Sequence, residues 1–178
     1  SDPREMQAAL RAAHRTWQRF PYYGWRYGER GRRFADSDSA WVVTLAAYPQ
    51  DVIDHQVHWL GALLAPRGMP RWLLASHLET LQDELVRAVP ERMPAHERLL
   101  QAATMLHAAR RRYISGEVFA TLADAFDRRV GASWAARLPE GGRLVLAAVA
   151  DDHDGIERAL ASVEGWLTDP ARFSVRWI

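Results

Sequence analysis

The chain has 178 residues, of which 48% are hydrophobic and 25% are charged, and its formal net charge is +1. These values are ordinary for a folded globular protein, and the length suits one domain. The lack of cysteine excludes disulfides, thiolate metal sites and cysteine nucleophiles. No signal peptide pattern is present, and charged residues interrupt every apolar run before the roughly 18 residues that span a bilayer. We therefore expect a soluble protein, cytoplasmic by default, with no membrane partner.

All 23 basic residues are arginine. This bias, with the richness in alanine, is typical of a GC-rich bacterial genome, and it excludes a lysine Schiff base or a Walker-type lysine. Residues 1–35 carry eight Arg against three acids, whereas residues 36–100 carry nine acids against five Arg. An anionic partner at the N-terminal end and pairing between the two regions both explain this asymmetry.

The first helix has a clear start signal. Asp2 suits the N-cap, Pro3 the first helical position, and Glu5 the third position of a capping box. The apolar residues that follow at helical spacing predict the buried stripe, which consists of Met6, Leu10, Ala13, Trp17 and Phe20. Pro21 ends this helix.

The segment from Tyr22 to Arg33 contains three glycines, which predict an irregular conformation. Aromatic residues and Arg alternate there, so one interpretation is a stacking surface for a nucleic acid or a planar anionic ligand. The candidate ligand-binding residues in it are Tyr22, Tyr23, Trp25, Arg26 and Tyr27. The favoured interpretation is a crossover loop whose rings fill the end of a helical bundle, because one short basic loop is a small footprint for nucleic acid.

The middle of the chain predicts three more helices. One runs from about Phe34 to Tyr48, with a strand at Val42-Val43-Thr44 as its competitor. The next runs from Asp51 to Leu64, with Trp59 and Leu63 widening its apolar stripe. The third carries Leu74, Leu78, Leu81 and Leu85 on one face, and the short break at Pro66 to Pro70 predicts an antiparallel hairpin.

The second half of the chain also reads as helical. Helices are expected over Ala95 to Tyr113 and from Ser115, and Leu144 to Ala150 fits a buried helix better than a short strand. Acids over Asp151 to Asp154 suit the N-terminus of a last helix. The tail over 173–178 alternates like a strand. The prediction is an all-α, single-domain bundle of six or seven helices over residues 1–178, mostly antiparallel neighbours.

Two groups of histidines suggest ligand sites. His55 and His58 lie one helical turn apart, and with the Asp152, His153 and Asp154 cluster they form the candidate metal ligands of a metal-dependent hydrolase. A solvated face and helix capping are the favoured interpretations of these residues.

His14 and His77 each flank an apolar stripe. Such a histidine is a candidate axial ligand for haem or another tetrapyrrole, in a pocket shared with the Tyr22 to Tyr27 segment. The competing interpretation is a core-edge histidine with satisfied hydrogen bonds.

Two phrases of the sequence carry a family resemblance: Arg26-Tyr27-Gly28-Glu29-Arg30-Gly31-Arg32, with Asp38 following, and Val57-His58-Trp59-Leu60 leading to Arg67-Gly68-Met69-Pro70. They resemble a group of bacterial all-helical modules of sensory or regulatory proteins, some attached to cobalamin-binding domains. The resemblance covers about Arg26 to Pro90 and its motifs are structural, so it implies a fold and no functional residue. A histidine of that group falls near Val42, where this chain has none.

Nucleophile and phosphate-loop motifs are absent, which lowers the expectation of an enzyme. Eight Trp and five Tyr favour an interface. The first hypothesis is therefore a non-catalytic helical sensor, regulatory or protein-interaction domain that binds itself or a protein partner, without a cofactor and with nucleic acid disfavoured. The alternatives are a small-molecule or tetrapyrrole binder with oxygenase-like chemistry, and then the metal-dependent hydrolase.

Overall fold

The computed structural model describes residues 2–174, and the regular secondary structure in that range is helical, with no strand. The helices are α1 (Pro3–Arg19), α2 (Pro21–Leu45), α3 (Gln50–Leu64), α4 (Arg71–Ala88), α5 (Met93–Arg111), α6 (Gly116–Val130), α7 (Ala132–Arg137), α8 (Gly141–His153) and α9 (Ala159–Leu167). The all-α prediction is confirmed. The predicted number of helices was too low, because this range holds nine, of which α7 spans only six residues.

The chain forms two compact units rather than the single domain that was expected. The first unit comprises the residues up to Val57 together with Ala75–Met105, and the second comprises His58–Leu74 together with the residues from Leu106 onward. Each boundary falls inside a helix, in α3, α4 or α5. The sequence therefore contains no linker composition that would reveal the division.

The capping box of α1 is confirmed, and its predicted buried stripe is confirmed in part, since Ala13 and Phe20 are buried. Asp2 accepts a hydrogen bond from the Arg4 backbone, and the Glu5 side chain accepts one from the Asp2 backbone. The other buried apolar residues are three alanines outside that stripe, namely Ala8, Ala9 and Ala12, while Leu10 is exposed. Small side chains allow helices to pack closely, and α1 accordingly buries its alanines rather than Leu10.

Residues 22–33 are helical, which corrects the prediction of an irregular segment. They belong to α2, whose only non-helical residue is Gly28, with φ 56° and ψ −160°. This left-handed φ needs glycine and produces a kink. A side chain at Gly31 would place its Cβ 2.3 Å from Tyr27 Cβ. The glycines thus permit a kinked helix, and the predicted start of a separate helix near Asp36 is absent.

The leucine stripe of α4 is confirmed, since Leu74, Leu78, Leu81 and Leu85 are all buried. In α3 the buried residues include Ile53, Val57 and Leu60, whereas Trp59 and Leu63 are exposed and do not widen the stripe. Gly68, at φ 89°, ends the short 3₁₀ turn before α4. Close to this hinge Gly61 faces Arg71, and a Cβ on Gly61 would lie 2.8 Å from Arg71 Cγ.

The acidic cluster lies at the C-terminal end of α8, not at the N-terminus of the last helix. Residues 144–150 are helical, as favoured, and α8 continues through Asp151 and Asp152 to His153. The last helix, α9, begins only at Ala159. Phe173 packs against Trp134 and Trp166, with ring centroids 5.6 and 5.1 Å apart. The rest of the predicted tail strand, 175–178, lies outside the described residues.

Helices α6 and α8 cross closely at Gly142. A Cβ there would lie 2.4 Å from the backbone oxygen of Ala123. Because backbone cannot move aside, Gly142→Ala is expected to lower the free energy of unfolding by roughly 1–3 kcal/mol or more. Urea denaturation measures the change.

The matched control is Gly165→Ala in α9, where a Cβ would meet nothing within 4 Å. This substitution is expected to raise the free energy of unfolding by about 0.5–1 kcal/mol, because alanine is the better helix former. Equal effects at the two positions would show that α6 and α8 do not cross at Gly142.

Candidate functional site

Three exposed aromatic residues form a stripe along the part of α2 that follows the kink at Gly28. We call this surface the aromatic stripe. Phe34, Trp41 and Tyr48 are 57%, 36% and 51% exposed. They recur every seven residues, a spacing that drifts only about 20° around a helix, and Tyr48 lies in the turn just after α2. The exposed residues at the intervening turns are Ser37 and Thr44, which are small and uncharged. The stripe is therefore largely apolar, and the half-buried carboxyl of Asp38 lies one helical turn from both Phe34 and Trp41.

The opposite side of α2 is buried and fixes the direction in which the stripe faces. Ser39, Val42, Val43 and Leu45 are all nearly inaccessible. Ser39 Oγ donates a hydrogen bond to the Ala35 carbonyl at 2.7 Å. Its only proton is thus used, so the contact of 2.9 Å with His77 Nε2 is one in which the histidine donates.

His77 links three helices of the first unit. Its Nε2–H donates to Ser39 of α2, and its Nδ1 accepts from Thr16 Oγ1 of α1 at 3.0 Å. Burial lowers the pKa of His77 to about 4, so the imidazole is neutral at pH 7. Both ring nitrogens have hydrogen-bond partners, and a metal or haem iron would have to displace one of them.

The neutral state of His77 predicts a pH-dependent stability. The pKa of His77 is about 4 in the folded chain and 6.5 in the unfolded chain, where water surrounds the side chain. The folded state therefore has its full stability above pH 6.5, where the imidazole is neutral in both states. That stability is lost as the pH falls from 6.5 towards 4, by up to about 3 kcal/mol. Urea denaturation at pH 7.5 and pH 4.5 measures the loss.

His77→Gln keeps a donor and an acceptor but does not titrate, so its stability should fall less between the two pH values. His14→Gln is the control, because His14 is exposed and its replacement should leave the full pH dependence. A His77→Gln protein with the same loss as the parent would rule out a neutral buried imidazole at this position.

The ligand-binding candidates of the Tyr22 to Tyr27 segment lie together but mostly pack on each other. The Tyr23 ring stacks on Trp17 at 5.2 Å, and Tyr22 meets Tyr27 edge-on at 6.0 Å. Arg26 donates to the Tyr22 hydroxyl at 2.6 Å. Burial raises the pKa values of Tyr22 and Tyr27. Trp25 is the most exposed of these candidates, at 42%.

His14 lines an open groove in the first unit, with a volume of about 510 Å³. The lining residues are Leu10, Arg11, His14, Arg15, Arg32, Asp36 and Glu84. Arg11 and Arg15 donate to the Glu84 carboxylate at 2.9 and 2.6 Å. Burial opposes ionisation of Glu84, but these hydrogen bonds lower its pKa. The groove therefore combines arginines with acids of its own, and His77 is not part of its lining.

The metal candidates do not form a cluster. His55 and His58 are exposed on α3, and His153 stacks on Tyr113 at 6.2 Å. Asp152 is exposed at the end of α8. Across residues 2–174 no group of three or more His, Asp or Glu side chains is arranged to hold a metal ion.

Asp154 belongs to a buried polar cluster that sequence reasoning missed. Arg71 is only 2% exposed, and its Nη2 lies 2.7 Å from Asp154 Oδ2. Asp154 also accepts hydrogen bonds from Tyr113 and Arg112. Burial acts to raise the pKa of Asp154, but the hydrogen bonds from Tyr113 and Arg71 outweigh it and lower the pKa.

Asp151 caps α4 from a distant part of the chain. Its Oδ2 accepts the backbone N–H of Arg71, the first residue of α4, and its Oδ1 accepts Arg71 Nε, both at 2.8 Å. The two residues are 80 positions apart in the sequence. An N-cap supplied by another helix leaves no local pattern, which is why the cluster suggested capping of α9 instead.

Removing the carboxylate at position 151 should destabilise the chain strongly. Asp151→Asn removes one of the two carboxylates that pair with the buried Arg71 charge and leaves Asp154 as the other, and breaking a buried ion pair costs about 3–5 kcal/mol. Asp152→Asn is the matched control because its side chain is exposed. Thermal or urea unfolding of both variants checks this, and similar small losses would contradict the capping role.

A second buried pair joins Glu5 to His96. His96 is fully buried on α5 and its Nε2 lies 2.8 Å from Glu5 Oε1, while Arg92 Nη1 donates to Oε2 of the same carboxylate at 2.8 Å. The sequence signals only the capping role of Glu5. Its tertiary role could not be found, because the partner lies 91 positions away.

No protein-family model, characterised protein or solved structure matches this chain. Within residues 2–174, every helix is too short or too polar to cross a membrane.

Proposed function

We propose that the protein is a helical protein-interaction module that docks through the aromatic stripe. The observation that carries this proposal is the exposure of Phe34 and Trp41 on α2 and of Tyr48 in the turn after it, while the other side of α2 is buried. Exposed rings of this size are costly in water, and contiguous apolar patches on a surface are often functional. Trp and Tyr are also the residues that contribute most at protein interfaces.

The stripe suits docking better than the other candidate sites suit ligand binding. Its middle residues, Ser37 and Thr44, carry no charge that a partner would have to desolvate. In the groove, by contrast, Glu84 already holds Arg11 and Arg15. The resemblance to sensory and regulatory modules agrees with an interaction role, and a sensory function stays a prediction.

Site-specific photo-crosslinking in cells tests the proposal. A photoreactive residue at Ser37, in the middle of the stripe, should form a covalent adduct with a protein. Trp41→Ala should remove most of that adduct, because loss of a central aromatic residue costs about 2 kcal/mol, or ~30-fold in affinity. Denaturing electrophoresis and mass spectrometry of the adduct measure the outcome.

Two controls make the result specific. Trp59→Ala removes another exposed tryptophan and should leave the adduct intact. The same crosslinker at Thr104, an exposed position of α5, should give no adduct. An adduct at Ser37 that persists in Trp41→Ala, or no adduct at all, would count against docking through the stripe.

A further inference from the structure

Two side chains of opposite charge in the groove of the first unit have no partner in the described range 2–174. Arg32 and Asp36 of α2 both line the groove, the first exposed and the second half-buried. Their side chains form no hydrogen bond or ion pair within that range, with each other or with another residue. An arginine that precedes its acid by four residues is the less favourable order for pairing along a helix. The groove therefore presents one unpaired charge of each sign.

The other charges of the groove balance each other. Both oxygens of the Glu84 carboxylate accept hydrogen bonds, from Arg11 Nε at 2.9 Å and from Arg15 Nη1 at 2.6 Å. Arg15 also donates to Asp83 at 3.0 Å, and Arg87 pairs with both Asp83 and Glu84. Arg11 and Arg15 are thus held against acids of α4, so Arg32 and Asp36 are the charges left for a ligand.

The groove also has an apolar wall and the size of a small-molecule site. Leu10 lines it and is 48% exposed. The volume of about 510 Å³ lies within the range of small-molecule pockets. The groove therefore suits a small ligand with a positive group, a negative group and a short apolar part.

From this arrangement we infer that the groove binds an α-amino acid with an apolar side chain. The Arg32 guanidinium holds the carboxylate of the ligand, the Asp36 carboxylate accepts hydrogen bonds from its ammonium group, and Leu10 contacts its side chain. The two charged groups of an α-amino acid are attached to one carbon atom, so residues one helical turn apart can reach both. A simple anion would leave Asp36 unpaired, and a simple amine would leave Arg32 unpaired.

This site is separate from the aromatic stripe. Arg32 and Asp36 are each two residues from Phe34 in the sequence. A helix turns by about 100° per residue, which places both of them on the side of α2 opposite Phe34. The groove can therefore be occupied whether or not a protein docks on the stripe.

Three ligands of similar shape test the site. They are L-leucine, isocaproate, which lacks the ammonium group, and isoamylamine, which lacks the carboxylate. L-leucine should bind at least about fivefold more tightly than either analogue at low salt, because each analogue leaves one charge of the groove unpaired. Nuclear magnetic resonance titration of the full chain, which follows the backbone amides of α1 and α2, measures the three dissociation constants.

Two substitutions assign the roles of the two charges. Arg32→Gln should weaken L-leucine binding by about fivefold without weakening isoamylamine binding, which does not use the guanidinium. Asp36→Asn should weaken L-leucine binding by a similar factor without weakening isocaproate binding. Arg33→Gln and Asp51→Asn are the matched controls, because both residues are exposed outside the groove lining, and they should leave L-leucine binding unchanged.

Circular dichroism confirms that every variant is folded. Isocaproate that binds as tightly as L-leucine would overturn the amino-acid site, and so would the absence of measurable L-leucine binding. Equal losses in the control variants would also overturn it. A Trp41-dependent crosslink at Ser37 does not depend on these results, so failure of this site and failure of the proposed docking function are distinguishable.

Discussion

The first unit depends on a short chain of partly buried hydrogen bonds from Thr16 through His77 to Ser39. A neutral imidazole accepts from one hydroxyl and donates to the other through two ring nitrogens held rigidly apart, and it does so without a charge. The chain joins α1, α2 and α4, so it fixes the rotation of α2 about its own axis. That rotation buries Val42 and Val43 and turns the aromatic stripe outward. The hydrogen bonds of His77 inside the unit thus determine which side of α2 is exposed for the proposed function.

The second unit depends on a different polar interaction. Arg71 starts α4 directly after Pro70, where no local side chain caps the helix, and Asp151 from α8 supplies the missing acceptor. The same carboxylate balances the buried guanidinium, which would otherwise be costly to remove from water. In each unit a polar group at a helix contact specifies one packing arrangement, while alanines, glycines and leucines supply the close contact.

The fold could be predicted from the sequence where the signals are local. The capping box of Asp2 and Glu5, the leucine stripe of α4 and the Ser115 cap of α6 are all read within a few residues. The failures are non-local. Glycines such as Gly28 and Gly31 often end a helix. Here they permit a kinked helix, and only the folded structure shows this. The buried face of α1 was predicted only in part, because small alanines rather than Leu10 fill it.

The sequence predicted that the site would be an interface but not where on the surface it lies. Abundant Trp and Tyr predicted an interface, but the sequence did not show which side of α2 faces water, and only the burial of Ser39 and Val42 shows it. The pairing of His96 with Glu5 joins residues far apart in sequence, and no pattern within one helix records it.

The central claim is that the aromatic stripe is a docking surface for a protein. The most direct test is a nuclear magnetic resonance titration with the polypeptide that crosslinks at Ser37, following the indole N–H signals of the tryptophans and the backbone amides. We expect the Trp41 indole and the amides over 34–48 to shift while the Trp59 indole does not. Unchanged spectra, or shifts gathered on other helices, would contradict the claim.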